Sequence, residues 1–135
     1  MTDTRKAQLI RYRIEQAEEA LRDAQALIDR DSLRASVNRS YYAMFYSVLA
    51  LLITRDLGTS KHSGAISLFD RDFKTSGIFS KELSEWLHDA FNFRVKADYR
   101  ELVTVSKGRC EEILSHARSF VSQVKGYLVS TTEGI

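Results

Sequence analysis

The 135-residue sequence contains no proline, one cysteine and six glycines, and its charged residues nearly cancel at a formal net charge of +2. Because proline and glycine are the residues that most often interrupt helices, their scarcity predicts a mostly helical protein. A single cysteine excludes a disulfide within the chain, and the first residues lack the charged and apolar segments of a secretory signal. These absences together favour a reduced, cytoplasmic setting.

Long apolar runs are also missing. The most apolar stretch covers residues 43–53, well short of the roughly 20 residues that a bilayer-spanning helix needs. We therefore expect no membrane association, and the length predicts one domain over residues 1–135. The net charge is too small for the overall field to attract nucleic acid, so DNA is not an expected partner. Any phosphate must be bound at a local site.

Apolar residues spaced three or four apart predict five helices, at about residues 4–28, 32–55, 61–73, 80–97 and 105–128. The second is apolar on nearly every side, which is typical of a central helix. The third is short and irregular. Asp31 or Ser32 and then Ser60 stand at candidate N-cap positions before the second and third helices. The predicted fold class is all-α, an up-and-down antiparallel bundle of four long helices plus one short helix.

Polar residues interrupt the apolar stripe of the fourth helix. The stripe that ends at Ala90 continues at the next helical steps to Arg94 and Asp98, and Tyr99 follows. Arg94 should therefore point into the bundle or into a cleft, where burial costs free energy unless the guanidinium finds a partner.

A second group of polar residues lies on the central helix. Asn38 shares a face with Tyr42, Arg39 lies beside it, and no acidic residue occurs between positions 31 and 56. These arginines need a partner from another helix or from a ligand, and Asp98 is one candidate for Arg39. Two interpretations remain open. The residues form either a structural network that fixes helix register, or a phosphate or RNA site in which arginines hold phosphate oxygens and tyrosines stack on bases.

The histidines and the cysteine give little sign of a metal or cofactor. His62 follows a loop glycine at the start of the third helix, where the helix dipole favours a neutral imidazole and where it could also serve as a cap. His88 and His116 are predicted on polar faces, and Cys110 is predicted in the core. Because no spacing matches metal ligands, a phosphate loop or a nucleophile elbow, we predict no metal site and no cofactor.

Four blocks carry a family pattern. They cover residues 38–45 (NRSYYAMF), 61–69 (KHSGAISLF), 73–77 (FKTSG) and 93–99 (FRVKADY). In order and spacing they resemble a family of small prokaryotic HEPN-domain proteins. The resemblance implies a helical bundle that is usually a homodimer. It also implies a gene often placed beside a minimal nucleotidyltransferase, as a toxin and antitoxin pair.

The resemblance also implies a site. Active HEPN ribonucleases are metal-independent and carry an arginine followed four to six residues later by a histidine, in a cleft at the dimer interface. Arg94 matches the arginine, but Tyr99 stands where the histidine would be. Losing a positioned acid or base typically costs about 10²- to 10⁴-fold in rate. The candidate catalytic residues are Arg94 and His62, and the candidate nucleotide- or RNA-binding residues are Asn38, Arg39, Tyr42, Asp98 and Tyr99.

Three functions remain open from the sequence. The first is an RNA- or nucleotide-binding HEPN-like module paired with a minimal nucleotidyltransferase. The second is an active endoribonuclease toxin in which His62, from the same or a second subunit, replaces the missing histidine. The third is a non-catalytic structural partner subunit. A homodimer is expected. Because the second helix is so apolar, we expect either its deep burial or a dimer seam that uses exposed aromatic residues such as Trp86, Phe91 or Phe93.

Overall fold

The computed structural model describes residues 3–99 and 104–131, and it describes side chains for residues 4–96 and 104–131. Five α-helices follow one another: α1 (Asp3–Asp29), α2 (Leu33–Thr54), α3 (His62–Phe69), α4 (Lys81–Tyr99) and α5 (Lys107–Thr131). The described part of the chain contains no strand, and the predicted all-α helical bundle is confirmed. None of the helices in these ranges is both long enough and apolar enough to cross a lipid bilayer.

Helix α2 is the centre of the bundle, as its apolar sequence predicts. It packs against α1, α3, α4 and α5. Small residues allow α1 to approach it closely, because Ala17 and Ala20 of α1 are buried against Ala43 of α2. The buried Ser36 hydroxyl donates a hydrogen bond to the carbonyl of Ala24 at 2.9 Å, which joins the two helices. The central helix therefore has neighbours on most of its circumference.

The loop before α3 differs from the prediction at its cap. Lys61, not Ser60, occupies the N-cap position of α3. The reason is that the Thr59 hydroxyl accepts the backbone N–H of Lys61 at 3.2 Å and so holds the loop. Gly64 permits this arrangement, because a Cβ there would lie only 2.9 Å from the Thr59 hydroxyl oxygen. Before α2, Ser32 does occupy the cap position, but its side chain forms no capping hydrogen bond.

The predicted irregularity of the third helical segment is confirmed. Helix α3 passes into a π-helical turn over Asp70–Lys74. The Asp70 carboxylate ties this turn to α4, since it accepts a hydrogen bond from the Ser84 hydroxyl at 2.6 Å and pairs with His88 Nε2 at 2.7 Å. His88 is exposed, as predicted, and its contact with Asp70 is a helix-to-turn link.

Residues of α4 and α5 decide two further predictions. Cys110 is buried, and its thiol contacts the carbonyl oxygen of Leu33 at 3.4 Å, which confirms a core position. The prediction that Trp86, Phe91 and Phe93 are exposed is wrong, because all three are partly buried against the core. The Trp86 ring stacks on His116 with centroids 4.7 Å apart. Part of each ring stays exposed, so the dimer seam and the homodimer itself stay predictions.

Candidate functional site

The candidate site is a cluster of five side chains from three helices, here called the His62 cluster. It comprises Tyr41, Tyr42 and Phe45 of α2, His62 of α3 and Arg94 of α4. His62 is the first residue of α3, and its ring stacks on Phe45 with centroids 4.2 Å apart and planes 11° apart. It also contacts the rings of Tyr41 at 5.6 Å and Tyr42 at 5.5 Å. Three α2 rings therefore fix the position of the imidazole.

A hydrogen bond joins the two polar groups at the centre of the cluster. The Tyr41 hydroxyl lies 2.8 Å from His62 Nδ1, and the Tyr41 side chain is fully buried. Burial raises the pKa of Tyr41 well above its ordinary value, although the nearby Arg94 charge acts in the opposite direction. The Tyr41 hydroxyl therefore keeps its proton at neutral pH.

The imidazole of His62 is neutral at neutral pH. Burial lowers its pKa below the ordinary value of 6.5, and the Arg94 charge lowers the pKa further. The sequence predicts the same neutral state from the helix dipole. The structure adds a different and more specific cause, which is an arginine from α4.

Arg94 points into the cluster, as its place on an apolar stripe predicts. Its guanidinium lies over the rings of Tyr41 and Tyr42, at 5.5 and 5.4 Å from the two ring centroids. The Arg39 guanidinium lies 5.2 Å from the centroid of the same Tyr42 ring. Both contacts are within the range of cation–π interactions. Tyr42 thus connects two arginines that are 55 positions apart in the sequence.

Arg39 also borders a groove between α1 and α2. The groove has a volume of about 290 Å³, and its lining includes Arg39, Tyr46 and the α1 residues Gln16, Glu19 and Asp23. The Arg39 Nε atom is buried and has no hydrogen-bond partner among the residues that the structure describes. The α1 carboxylates were not foreseen as neighbours of Arg39. The acid-free sequence of α2 was the available signal, because it requires acidic groups from an adjacent helix.

The structure brings together most, but not all, of the predicted site residues. Arg94, His62, Tyr42 and Arg39 are linked through ring contacts, and Asn38 is half-buried on α2 one turn before Tyr42. The side chains of Asp98 and Tyr99 lie outside the described residues, so the predicted contact between Arg39 and Asp98 stays a prediction.

Tyr41 and Phe45 were not among the predicted site residues, and their contacts with His62 were not foreseen. Their spacing of four residues, which places both on one face of α2, was the available signal.

The described residues do not form a metal site. No group of three or more His, Cys, Asp or Glu side chains is arranged to hold a metal ion within the described residues.

Comparison with known proteins places these residues in a wider context. The family model described as "HEPN domain" matches residues 10–127. "Putative toxin MJ0142" of Methanocaldococcus jannaschii is 35% identical over 117 residues, which are 87% of this chain and 80% of that protein. "UPF0332 protein" of Thermotoga maritima is 37% identical over 120 residues, covering 89% of this chain and 91% of its own. "Putative toxin MJ0605" of Methanocaldococcus jannaschii is 36% identical over 112 residues, or 83% of each chain.

Proposed function

The chain belongs to the HEPN domain family, and we propose that it is a toxin-like HEPN module whose His62 cluster binds a phosphate of RNA or of a nucleotide. Two of its relatives are named as toxins, which supports the toxin-like role. One observation carries the binding proposal: the guanidinium groups of Arg39 and Arg94 lie against the same Tyr42 ring.

Electrostatics explains why this pair of arginines favours an anion. The positive charges of the two guanidinium groups attract an anion, in competition with the carboxylates of Glu19 and Asp23 that share a groove with Arg39. Guanidinium groups suit phosphate in particular, because their planar N–H groups match its oxygens in pairs.

A binding experiment tests this proposal with a matched arginine control. A fluorescein-labelled oligoribonucleotide of mixed sequence is titrated with wild type, Arg94→Ala and Arg118→Ala, and anisotropy is measured. Arg118 is exposed on α5 and, among the described residues, donates to the Gln25 side chain alone at 2.7 Å, so its replacement removes the same charge elsewhere. We expect Arg94→Ala to bind the oligoribonucleotide at least about tenfold more weakly than wild type, because one charged hydrogen bond contributes on this scale. Equal weakening in both variants, or no binding by wild type, contradicts the proposal.

One observation favours a second candidate function, a metal-independent endoribonuclease. Arg94 and His62 come from the same subunit and contact the same two tyrosine rings, Tyr41 and Tyr42. A second subunit is therefore not required to bring an arginine and a histidine together. The test is cleavage of labelled RNA in the presence of a metal chelator. Equal product from wild type, His62→Ala and Arg94→Ala rules this function out.

The partners belong to the same proposal. We propose a homodimer and a pairing with a minimal nucleotidyltransferase, both implied by the family resemblance. Sedimentation of the purified chain should give twice its mass of 15.4 kDa. A species of 15.4 kDa across micromolar concentrations overturns the dimer. Failure to co-purify with a nucleotidyltransferase encoded by the adjacent gene overturns the pairing.

A further inference from the structure

The contact between Tyr41 and His62 determines which nitrogen of the imidazole can meet a ligand. We infer that Tyr41 is a positioning residue that keeps the His62 proton on Nε2, so that His62 offers a phosphate oxygen a hydrogen-bond donor and does not serve as a base. The ligand in this inference rests on the proposed function. The position of the proton does not, and it can be measured in the protein alone.

The first step concerns the Tyr41 hydroxyl. Its oxygen is buried, it keeps its proton, and its one hydrogen-bond partner among the described residues is His62 Nδ1. A buried hydroxyl that donates no hydrogen bond costs about 1–3 kcal/mol. The Tyr41 O–H therefore donates to Nδ1, which must carry a lone pair. In a neutral imidazole the proton then lies on the other nitrogen, Nε2.

The second step concerns Nε2 itself. This atom has no hydrogen-bond partner in the described part of the chain, and it is not among the polar side-chain atoms there that are buried and unsatisfied. Stacking on Phe45 at 4.2 Å and the edge contact with Tyr42 restrict rotation of the ring. The Nε2–H group is thus oriented, is not fully enclosed and has no partner among the described residues.

The third step compares the two roles that His62 could play. As a base it would have to take a proton at Nδ1, which would then donate to the Tyr41 oxygen and leave the buried Tyr41 O–H proton without an acceptor. The positive charge of Arg94 opposes the same protonation. If His62 instead donates from Nε2, the hydrogen bond from Tyr41 is kept and no positive charge is added beside Arg94. Arg94 and His62 then both supply N–H groups, which matches the acceptor oxygens of a phosphate.

Nuclear magnetic resonance of histidine-labelled protein tests the tautomer directly. Long-range proton–nitrogen spectra of ligand-free wild type at neutral pH should show His62 with Nε2 protonated and Nδ1 unprotonated. Tyr41→Phe should lose this fixed tautomer and should raise the His62 pKa towards its ordinary value. Tyr42→Phe is the matched control, since it removes the hydroxyl of another tyrosine whose ring contacts the same imidazole and should leave the tautomer unchanged. A wild-type proton on Nδ1, or no change in Tyr41→Phe, overturns the inference. If Tyr41→Phe does not fold, the wild-type spectrum alone decides.

RNA titration tests the donor role separately. Glutamine carries an N–H donor near the position of Nε2 but cannot act as a base at neutral pH. We expect His62→Gln to bind labelled RNA within about threefold of wild type and His62→Ala to bind about fivefold more weakly, on the scale of one hydrogen bond. Equal binding by all three proteins overturns the donor role while leaving the Arg94 result intact. If wild type binds no RNA, the proposed function and its ligand fail, and the spectra still confirm or overturn the role of Tyr41.

Discussion

Two aromatic clusters in this bundle have similar geometry and different chemistry. One is the His62 cluster. The other, here called the phenylalanine cluster, comprises Phe69, Phe73, Phe79, Phe120 and Tyr127, with ring centroids 5.4 to 6.2 Å apart. In the phenylalanine cluster, aromatic rings pack on one another, and one guanidinium group, that of Arg55, lies 5.0 Å from the Phe73 ring centroid. In the His62 cluster, the rings contact two guanidinium groups and also surround a neutral imidazole that is hydrogen-bonded to Tyr41. Neither ring stacking nor a nearby guanidinium group therefore identifies a site, and the hydrogen-bonded imidazole is what distinguishes the His62 cluster.

The difference has a physical basis in what each cluster buries. The rings of Phe69, Phe73 and Phe120 are fully buried, and burying apolar surface stabilises the fold at roughly 25 cal/mol per Å². The His62 cluster also buries a hydroxyl, which costs free energy unless it is hydrogen-bonded. We expect substitutions in the phenylalanine cluster to change stability and substitutions in the His62 cluster to change ligand binding.

The largest expected effect is on stability. Phe120→Ala should lower the free energy of unfolding by about 3–5 kcal/mol, because it leaves a cavity beside Phe69, whose ring centroid lies 5.5 Å away. Urea unfolding followed by circular dichroism measures this. The control is Tyr12→Ala, since Tyr12 is 53% exposed and its loss should cost no more than about 0.5 kcal/mol. A loss below about 1 kcal/mol for Phe120→Ala would contradict the division between the clusters.

A smaller effect is expected on binding. Arg39→Ala should weaken binding of labelled RNA about fivefold, because it removes one of the two cations at Tyr42. Its free energy of unfolding should change by no more than about 1 kcal/mol. Arg39→Lys keeps the charge but not the planar fork, so it should restore binding only in part. Unchanged binding in Arg39→Ala would contradict the proposal that both guanidinium groups at Tyr42 hold the phosphate.

The smallest effect is a dependence of stability on pH. The folded protein holds the His62 pKa below the ordinary 6.5, so the unfolded chain binds a proton there before the folded protein does. Stability should therefore fall as pH decreases through 6.5 towards the lowered folded pKa, and the contribution is absent above 6.5. Urea unfolding of wild type and His62→Gln between roughly pH 7.5 and pH 5.5 measures the difference. Wild type should lose stability relative to His62→Gln as pH falls, because the variant has no imidazole at position 62 to take up a proton. Parallel curves for the two proteins would show that His62 is not perturbed.

Much of the fold could be predicted because its signals are local. Apolar spacing identified all five helices and the central place of α2, and the break in the stripe at Arg94 identified a residue directed into a cleft. Predictions failed where a contact crosses between helices. Ser60 was assigned as a cap, although Thr59 holds the loop. Trp86 was expected to be exposed, although α5 supplies His116 to cover it.

The candidate site also combines features that are local in the sequence with contacts that form only between helices. The residue types and their blocks are visible in the sequence, and so are Arg94 and the family resemblance. The sequence by itself determined an all-α chain with few helix breakers and a local concentration of arginine and tyrosine, because periodicity and composition act within one helix. Only the tertiary structure decided that the Tyr41 hydroxyl lies 2.8 Å from His62 Nδ1 and that Arg39 and Arg94 share the Tyr42 ring. Those contacts depend on how three helices pack, and the burial that results keeps Tyr41 protonated and His62 neutral.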